Sequence, residues 1–571
     1  MMPLDSLPEE LLIQILGHLS IPDIIAVRET SKSLAGVTQE KIVWLHALRN
    51  LIIHNYPIPG LRGRSVLDLD HHELEKLALN AYEYRRNWTS AQPAYSRRIE
   101  IMSPSPRTAA AQHARILSIQ FLSHRSRQLL LCLTLLDQAA EAPRSTALEC
   151  WDITSQPARC IASLIVGSFA SMVTNDVSSS PATLALSHAS SAAGINAGTR
   201  TTTYAIDLGS SNASTSFVAI ASFASLRYPN KLHENMFVCS DHTTNVMRVI
   251  DACSGDLLYS LRVPLIHDDP TISLEEFACL GVTFWREYIL VFRQTWIHLY
   301  RLNEDQATTA ATTESSGSTF QQELHPIAKH KWQWPIDSLA VEVANHTAIH
   351  TYPELASVEP RLMHSSRDIP PPVNIFVRFD SWYPWPVNIL HHFILESNAN
   401  YTAALPSTVD NVPYLFSSLS GEVRGPQLKD SVTSPMRLFT PSHIAMGRFG
   451  TAVWIDAETS TPGQAGDLGQ RVAGRLLSTR LRSRHGNTSW ATTGSNRTLN
   501  GQERGGLVAV LNLEANIEFA GNEYGIEDPM MVFAVKEEES TWNRVAVDDA
   551  EGRIAIGSTE GRVIVLDYAL P

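Results

Sequence analysis

The chain has 571 residues, 44% of them hydrophobic, and a formal net charge of −13 with a pI near 5.9. That length calls for more than one domain, or a small module followed by one large repeat fold. The acidic balance disfavours nonspecific nucleic-acid binding, and the absence of an apolar run of 18 or more residues argues against a membrane-spanning helix.

The first 50 residues predict three short amphipathic helices. Ser6 and Glu9 have capping-box spacing, with Pro8 in the first turn, where its missing N–H does no harm. Leu11, Leu12, Ile15, Leu16 and Leu19 then recur at helical spacing. Ser20 and Asp23 repeat the cap around Pro22, and Ile24, Ile25 and Val27 are the apolar positions of a second helix. A third helix is expected from near Ser31 past Trp44 to Leu48. Three helices in about 45 residues bury too little surface to stand alone. Their apolar positions must cover either the rest of this chain or another protein.

The order Leu7-Pro8-Glu9-Glu10-Leu11-Leu12, Ile15-Leu16, Leu19, Asp23-Ile24, Val27-Arg28, Ser31-Lys32 and Trp44 resembles the F-box. Thr30, Ser31 and Leu34 depart from its pattern, which commonly has valine, cysteine and tryptophan there. In that family the Leu-Pro turn and first helix pack on a Skp-family adaptor, which holds a cullin–RING ligase. The resemblance covers under a tenth of the chain. It implies an adaptor-binding set of Leu7, Pro8, Leu11, Leu12, Ile15, Leu16, Leu19, Ile24, Val27 and Trp44, with no catalytic residue, metal or cofactor.

Residues 1–50 are thus read as the F-box and 51–96 as a helical connector, with Leu67, Leu69, Leu74, Leu77 and Leu79 in a capped stretch ending near Trp88. The connector is expected to brace the F-box against the rest of the chain. From residue 97 to 571 short β-rich runs alternate with Gly, Pro, Asn and Asp turns. Several runs end in aspartate: Asp152, Asp207, Asp251, Asp456 and Asp567. The first two steps between them are 55 and 44 residues, the period of a four-stranded blade. A carboxylate at a strand end can accept backbone N–H bonds in the following turn. These units resemble degenerate WD repeats, so an all-β propeller of about seven blades is expected, with six or eight as the alternatives. A ring needs closure, and the final hairpin, Arg553 to Tyr568, is expected to pair with a strand near Arg97 to Met102. Residues 187–216, 304–319 and 457–505, rich in Ser, Thr and Gly or Ala, are expected as disordered insertions.

No catalytic constellation stands out. The six cysteines, Cys132, Cys150, Cys160, Cys239, Cys253 and Cys279, have no CxxC spacing and read as reduced core residues of an intracellular protein, cytoplasmic or nuclear. His71-His72 and His391-His392 make poor chelates, because adjacent side chains diverge, and His267-Asp268-Asp269 reads as a polar loop. Arg471, Arg475, Arg480, Arg482 and Arg484 form an acid-free run that reads as a solvated loop or a basic arm. Trp332, Trp334, Trp382, Tyr383 and Trp385 read as blade packing or a recognition face. The expected role is the substrate-recognition subunit of a Skp–cullin–F-box ubiquitin ligase, with the propeller binding an unidentified protein substrate. The alternative is a propeller scaffold or propeller enzyme whose N-terminal helices only cap the β domain.

Overall fold

A computed structural model describes residues 7–61, 64–102, 111–124, 127–138, 145–167, 170–177, 179–189, 199–207, 216–224, 228–240, 246–263, 277–302, 322–343, 370–379, 387–405, 411–416, 425–435, 443–457, 469–477, 530–536 and 541–569. Its helices are α1 (Glu9–Leu16), α2 (Ile21–Arg28), α3 (Lys32–Val37), α4 (Lys41–Ile53) and α5 (His71–Trp88). Pro8 is the N-cap of α1 and makes no side-chain cap bond; Ser6, expected in that role, lies outside the described residues. Ser20 caps α2 as expected, accepting from the Asp23 N–H at 3.4 Å. The single third helix expected over 31–48 is instead two, α3 and α4. The chain turns between them at Thr38–Glu40, where the Thr38 carbonyl accepts the Trp44 indole N–H at 3.0 Å. Arg28 ties the bundle together. It donates to Glu75 of α5 at 2.6 Å and to Thr38 Oγ1 at 3.0 Å, with its guanidinium 5.6 Å from the Trp44 ring centroid. Asp70 and Glu73 cap α5 reciprocally.

Among the described residues the strands form seven sheets, six of four strands and one of five. Each begins with an inner strand: Ala111–His124, Ala170–Thr174, Tyr228–His233, Cys279–Trp285, Ile336–Val343, Ile444–Met446 and Trp542–Asp548. These contact one another in ring order, the seventh meeting the first. The fold is a seven-bladed propeller behind a few N-terminal helices. Facing blades share apolar cores: Leu131, Leu133 and Leu148 of the first blade, for example, pack with Leu184 and Leu186 of the second.

The ring closes as expected. Arg97–Met102 is the outermost strand of the seventh blade and pairs antiparallel with Arg562–Asp567, Arg97 opposite Asp567 and Met102 opposite Arg562. The third blade gains its fifth strand from Gln322–Leu324, which runs parallel to Leu257–Leu261. The chain then supplies Ala328–Lys331 as the outer strand of the fourth blade, so these two blades interlock.

Two expected insertions contain blade strands. Thr199–Asp207, inside 187–216, pairs with Leu184–Ala189 in the second blade. Its threonines are buried because their hydroxyls find partners: Thr201 Oγ1 lies 2.6 Å from Ser187 Oγ, and Thr203 Oγ1 donates to the Ala252 carbonyl at 2.6 Å. Gln470–Leu476, inside 457–505, is the third strand of the sixth blade, with Val472 and Ala473 fully buried. Within Gln470–Leu476 the low apolar content reflects a strand of small and hydrogen-bonded residues. Residues 304–319 lie outside the described residues.

Candidate protein-interaction site

A helix turns 100° per residue, so α1 divides its apolar residues between two directions. Leu12 and Leu16 point inward and are 3% and 2% exposed. Leu11 and Ile15, one helical turn apart, point outward at 44% and 39%. Pro8 is exposed beside them, and Leu7, Leu19 and Val27 are half-buried against the helical core. Ile24 and Trp44 are fully buried in it. The ten residues expected to bind an adaptor therefore fall into an outward group and a supporting core. Leu12, Leu16, Ile24 and Trp44 do not offer a surface; they hold α1 in place.

The helices are joined to the β ring through two apolar cores, one in which Phe449 and Ala550 join the helical residues and one that takes in Tyr84 and Trp88. Tyr84 and Trp88 of α5 pack with Phe533, Trp542 and Tyr568, and the Trp88 ring centroid lies 4.8 Å from that of Phe533. Trp88 Nε1 donates to Thr451 Oγ1 at 3.0 Å, and the Tyr84 hydroxyl donates to the Asp549 carbonyl at 2.8 Å. Glu551 accepts from the Gly60 N–H at 3.1 Å and from Gln128 Nε2 at 2.9 Å. Gly552 turns there with φ +71°, and a Cβ on it would come within 2.6 Å of the Tyr84 ring. Asp549 is buried and accepts from the backbone N–H groups of Phe449 and Thr451 at 3.0 and 3.1 Å. Burial pushes its carboxyl up to about 6 despite those donors. The contacts of Phe449, Thr451, Asp549, Glu551, Gly552 and Gln128 lie at or beside turns joining the first and second strands of the sixth, seventh and first blades, whereas Phe533, Trp542 and Tyr568 come from the outer strand of the sixth blade, the inner strand of the seventh and the end of the seventh blade's third strand. Sequence reasoning anticipated the brace but not its anchors; the Tyr84/Trp88 spacing on one helical face was the available signal.

In an antiparallel blade the second-to-third-strand turns lie on the opposite rim. That rim carries Arg293–Thr295 of the fourth blade and Ser558–Arg562 of the seventh, together with Trp332–Pro335, which links the fourth blade to the fifth. Trp334 there is exposed, whereas Trp332 is buried against Phe379 and Phe393. Trp382, Tyr383, Trp385 and His267-Asp268-Asp269 lie outside the described residues.

The remaining candidates resolve individually. His391 and His392 diverge: the first bonds Ser431 Oγ at 2.9 Å, the second Asn374 Oδ1 at 2.9 Å. Burial lowers them to about 4 and about 3, so both are neutral. His71 and His72 sit in the first turn of α5, and no grouping of His, Cys, Asp or Glu among the described residues suits a metal. All six cysteines are free, and burial pushes Cys150 up to about 12 and Cys160 and Cys279 to about 11, so these thiols are unreactive. Arg471 and Arg475 are strand residues, paired with Asp456 at 2.7 Å and with Asp430. They are not part of a free basic arm; Arg480, Arg482 and Arg484 lie outside the described residues. No described helix is long and apolar enough to cross a membrane.

Comparison with known proteins bears on both parts. Residues 4–50 match the F-box-like family, so the chain carries an F-box-like domain at its helical end. No curated protein matches the chain. Among solved structures, a chain from an active polycomb repressive complex 2 in the basal state is 9% identical, with 82% of this chain and 96% of that one covered at a TM-score of 0.41. Chaetomium thermophilum Sqt1 is 10% identical, with 80% and 96% covered at 0.37. No argument rests on likenesses at this level; the propeller stands on its own strand pairing. An F-box-like domain joined to a propeller is the layout of a protein-interaction and recognition module.

Proposed function

We propose that this protein is the substrate-recognition subunit of a Skp–cullin–F-box ubiquitin ligase. The observation that carries the reading is the outward pair Leu11 and Ile15 beside Pro8, in a domain that matches the F-box-like family. An apolar stripe of this kind on a first helix needs a cover, and burying each aliphatic side chain contributes about 1.5–3 kcal/mol. The cover in this reading is a Skp-family adaptor, contacted by Leu7, Pro8, Leu11 and Ile15. The rim of the propeller away from the helices, with exposed Trp334, receives a protein substrate. The protein performs no bond chemistry; it raises the effective concentration of the substrate near the ubiquitin-charged enzyme. It works in the cytoplasm or nucleus, where such ligases operate.

A specific observation favours the alternative, in which the helices only cap a propeller scaffold or enzyme: Tyr84 and Trp88 are buried in the ring's own core. Docking through α5 leaves α1 facing away, however, so the two roles use different faces. The test is co-purification of full-length protein with recombinant Skp adaptor. Wild type should bind, and Leu11→Asp should abolish binding while leaving the melting temperature unchanged. A wild-type protein that fails to bind, or a Leu11→Asp variant that binds normally, would favour the cap.

A further inference from the structure

The fourth blade carries a charge that its surroundings do not neutralise. Arg293, at the end of the strand Tyr288–Arg293, is 0% exposed. Its Nη1 donates to the Phe277 carbonyl at 2.7 Å, but Nε and Nη2 are buried without a hydrogen-bond partner. Those two nitrogens form one edge of the guanidinium, the edge that grips an oxyanion with two parallel N–H bonds.

The sheet face around it is cationic. His298 lies opposite Val291 and Lys329, and Trp296 lies opposite Lys331. The Lys329 and Lys331 ammonium groups sit 5.6 and 5.4 Å from the Trp296 ring centroid, and neither forms an ion pair among the described residues. Trp296 Nε1 and His298 Nδ1 are also buried without partners. The His298 ring stacks on Trp296 with planes 11° apart. Burial first, then Arg293 and Lys329, hold it down to about 3. The other groups beside the guanidinium are the Cys279 thiol and the Tyr300 hydroxyl, which donates to the Arg262 carbonyl at 2.9 Å and lies close to Arg293 as a neutral acceptor without completing a well-formed bond to Nε or Nη2. Both are neutral. The acid of the added strand, Glu323, is held by Arg262 at 2.7 Å. A buried, unpaired charge is strongly destabilising, so a counter-ion is the arrangement that lets Arg293 stay.

We propose that the seam between the third and fourth blades binds a small inorganic oxyanion, phosphate or sulfate, on the free edge of Arg293 and the Trp296 indole N–H, with Lys329 and Lys331 adding attraction. Three cations favour a dianion over a carboxylate. The complete burial of Arg293 favours a free ion over a phosphate carried on a peptide side chain. The ion's role is to lock the blades that already interlock through Gln322–Leu324 and Ala328–Lys331.

The test uses the full-length protein in thermal unfolding, with sodium phosphate against sodium chloride at matched ionic strength. A specifically bound ion should raise the melting temperature by about 2–4 °C over chloride. Arg293→Met should abolish the phosphate increment. The exposed-site double change Lys329→Met/Lys331→Met should weaken inorganic phosphate several-fold in calorimetric titration, and it keeps the test alive should Arg293→Met not fold. A phosphoserine hexapeptide of otherwise neutral sequence should give no increment. The proposal is overturned by a wild-type protein indifferent to phosphate, by an increment that survives both variants, or by a peptide as effective as the free ion.

Discussion

Leu11 and Leu12 are adjacent and chemically identical, yet they serve different ends. Leu12 fills the helical core with Leu16, Ile24 and Trp44, so Leu12→Ala should cost about 2–5 kcal/mol of stability through the cavity left behind. Leu11 touches solvent, and Leu11→Ala should stay within about 0.5 kcal/mol of wild type. Urea unfolding of the two single variants separates them; equal losses would mean that α1 is rotated from its described setting. Asp549 is the corresponding residue on the ring. Its carboxylate holds the Phe449 and Thr451 N–H groups, and its carbonyl receives Tyr84. Asp549→Ala strands two buried donors and should cost about 1–3 kcal/mol for each. The lost carboxylate fixes the turn to the sixth blade, and the backbone carbonyl of that same turn receives Tyr84, so a loosened turn should let α5 exchange its amide hydrogens faster; unchanged protection would show that the Trp88 contacts suffice.

At the scale of elements, what could be read from the chain tracks how local the stabilising chemistry is. Asp152, Asp251 and Asp567 end third strands, and their Oδ1 atoms accept from Thr154, Cys253 and Ala569 N–H in the next turn. That bond spans two residues, so the repeat was legible there. Asp456 is alike in sequence but lies inside a second strand, Thr451–Ala457, and is buried with Arg471 and the Trp454 indole, a partnership visible only in three dimensions. The third strands of the fourth to sixth blades end in Arg301, Leu395 and Leu476, which left the repeat unmarked there. The F-box stripe was legible because helical periodicity is local, whereas the division of its residues into core and surface depended on α4. The Asp207 ending marks a strand, but the composition around Thr199–Asp207 and Gln470–Leu476 reads as insertion because their burial comes from hydroxyl pairs and neighbouring blades. A Gly/Ser linker in place of residues 457–505 removes Gln470–Leu476 from between its two partner strands. The melting temperature should therefore fall by many degrees; an unchanged value would mean that the sixth blade does not use that strand.

For the whole molecule, closure and protonation both act on the ring as one unit. Deleting residues 550–571 removes both strands of the closing hairpin and leaves Arg97–Met102 without a partner, so the β region should lose cooperative unfolding rather than fray at one edge. Acid should weaken the intact ring in a defined window. Burial lowers His298 and His392 to about 3 and His330, His391 and His443 to about 4. In the unfolded chain these five titrate near 6.5, so between roughly pH 6.5 and 4 the unfolded state binds more protons. The stability they contribute is complete above 6.5 and is lost as pH falls through that range. Two carboxyls oppose them: burial raises Glu342 to about 7 and Asp549 to about 6, so the folded state takes up their protons first and gains stability as pH falls. Five sites outnumber two, and the net sign is loss. The urea midpoint should be lower at pH 4.5 than at pH 7, and His392→Asn, which retains a group able to bond Asn374, should reduce the difference. A midpoint that rises on acidification would show that the carboxyls, not the histidines, dominate the titration of the ring.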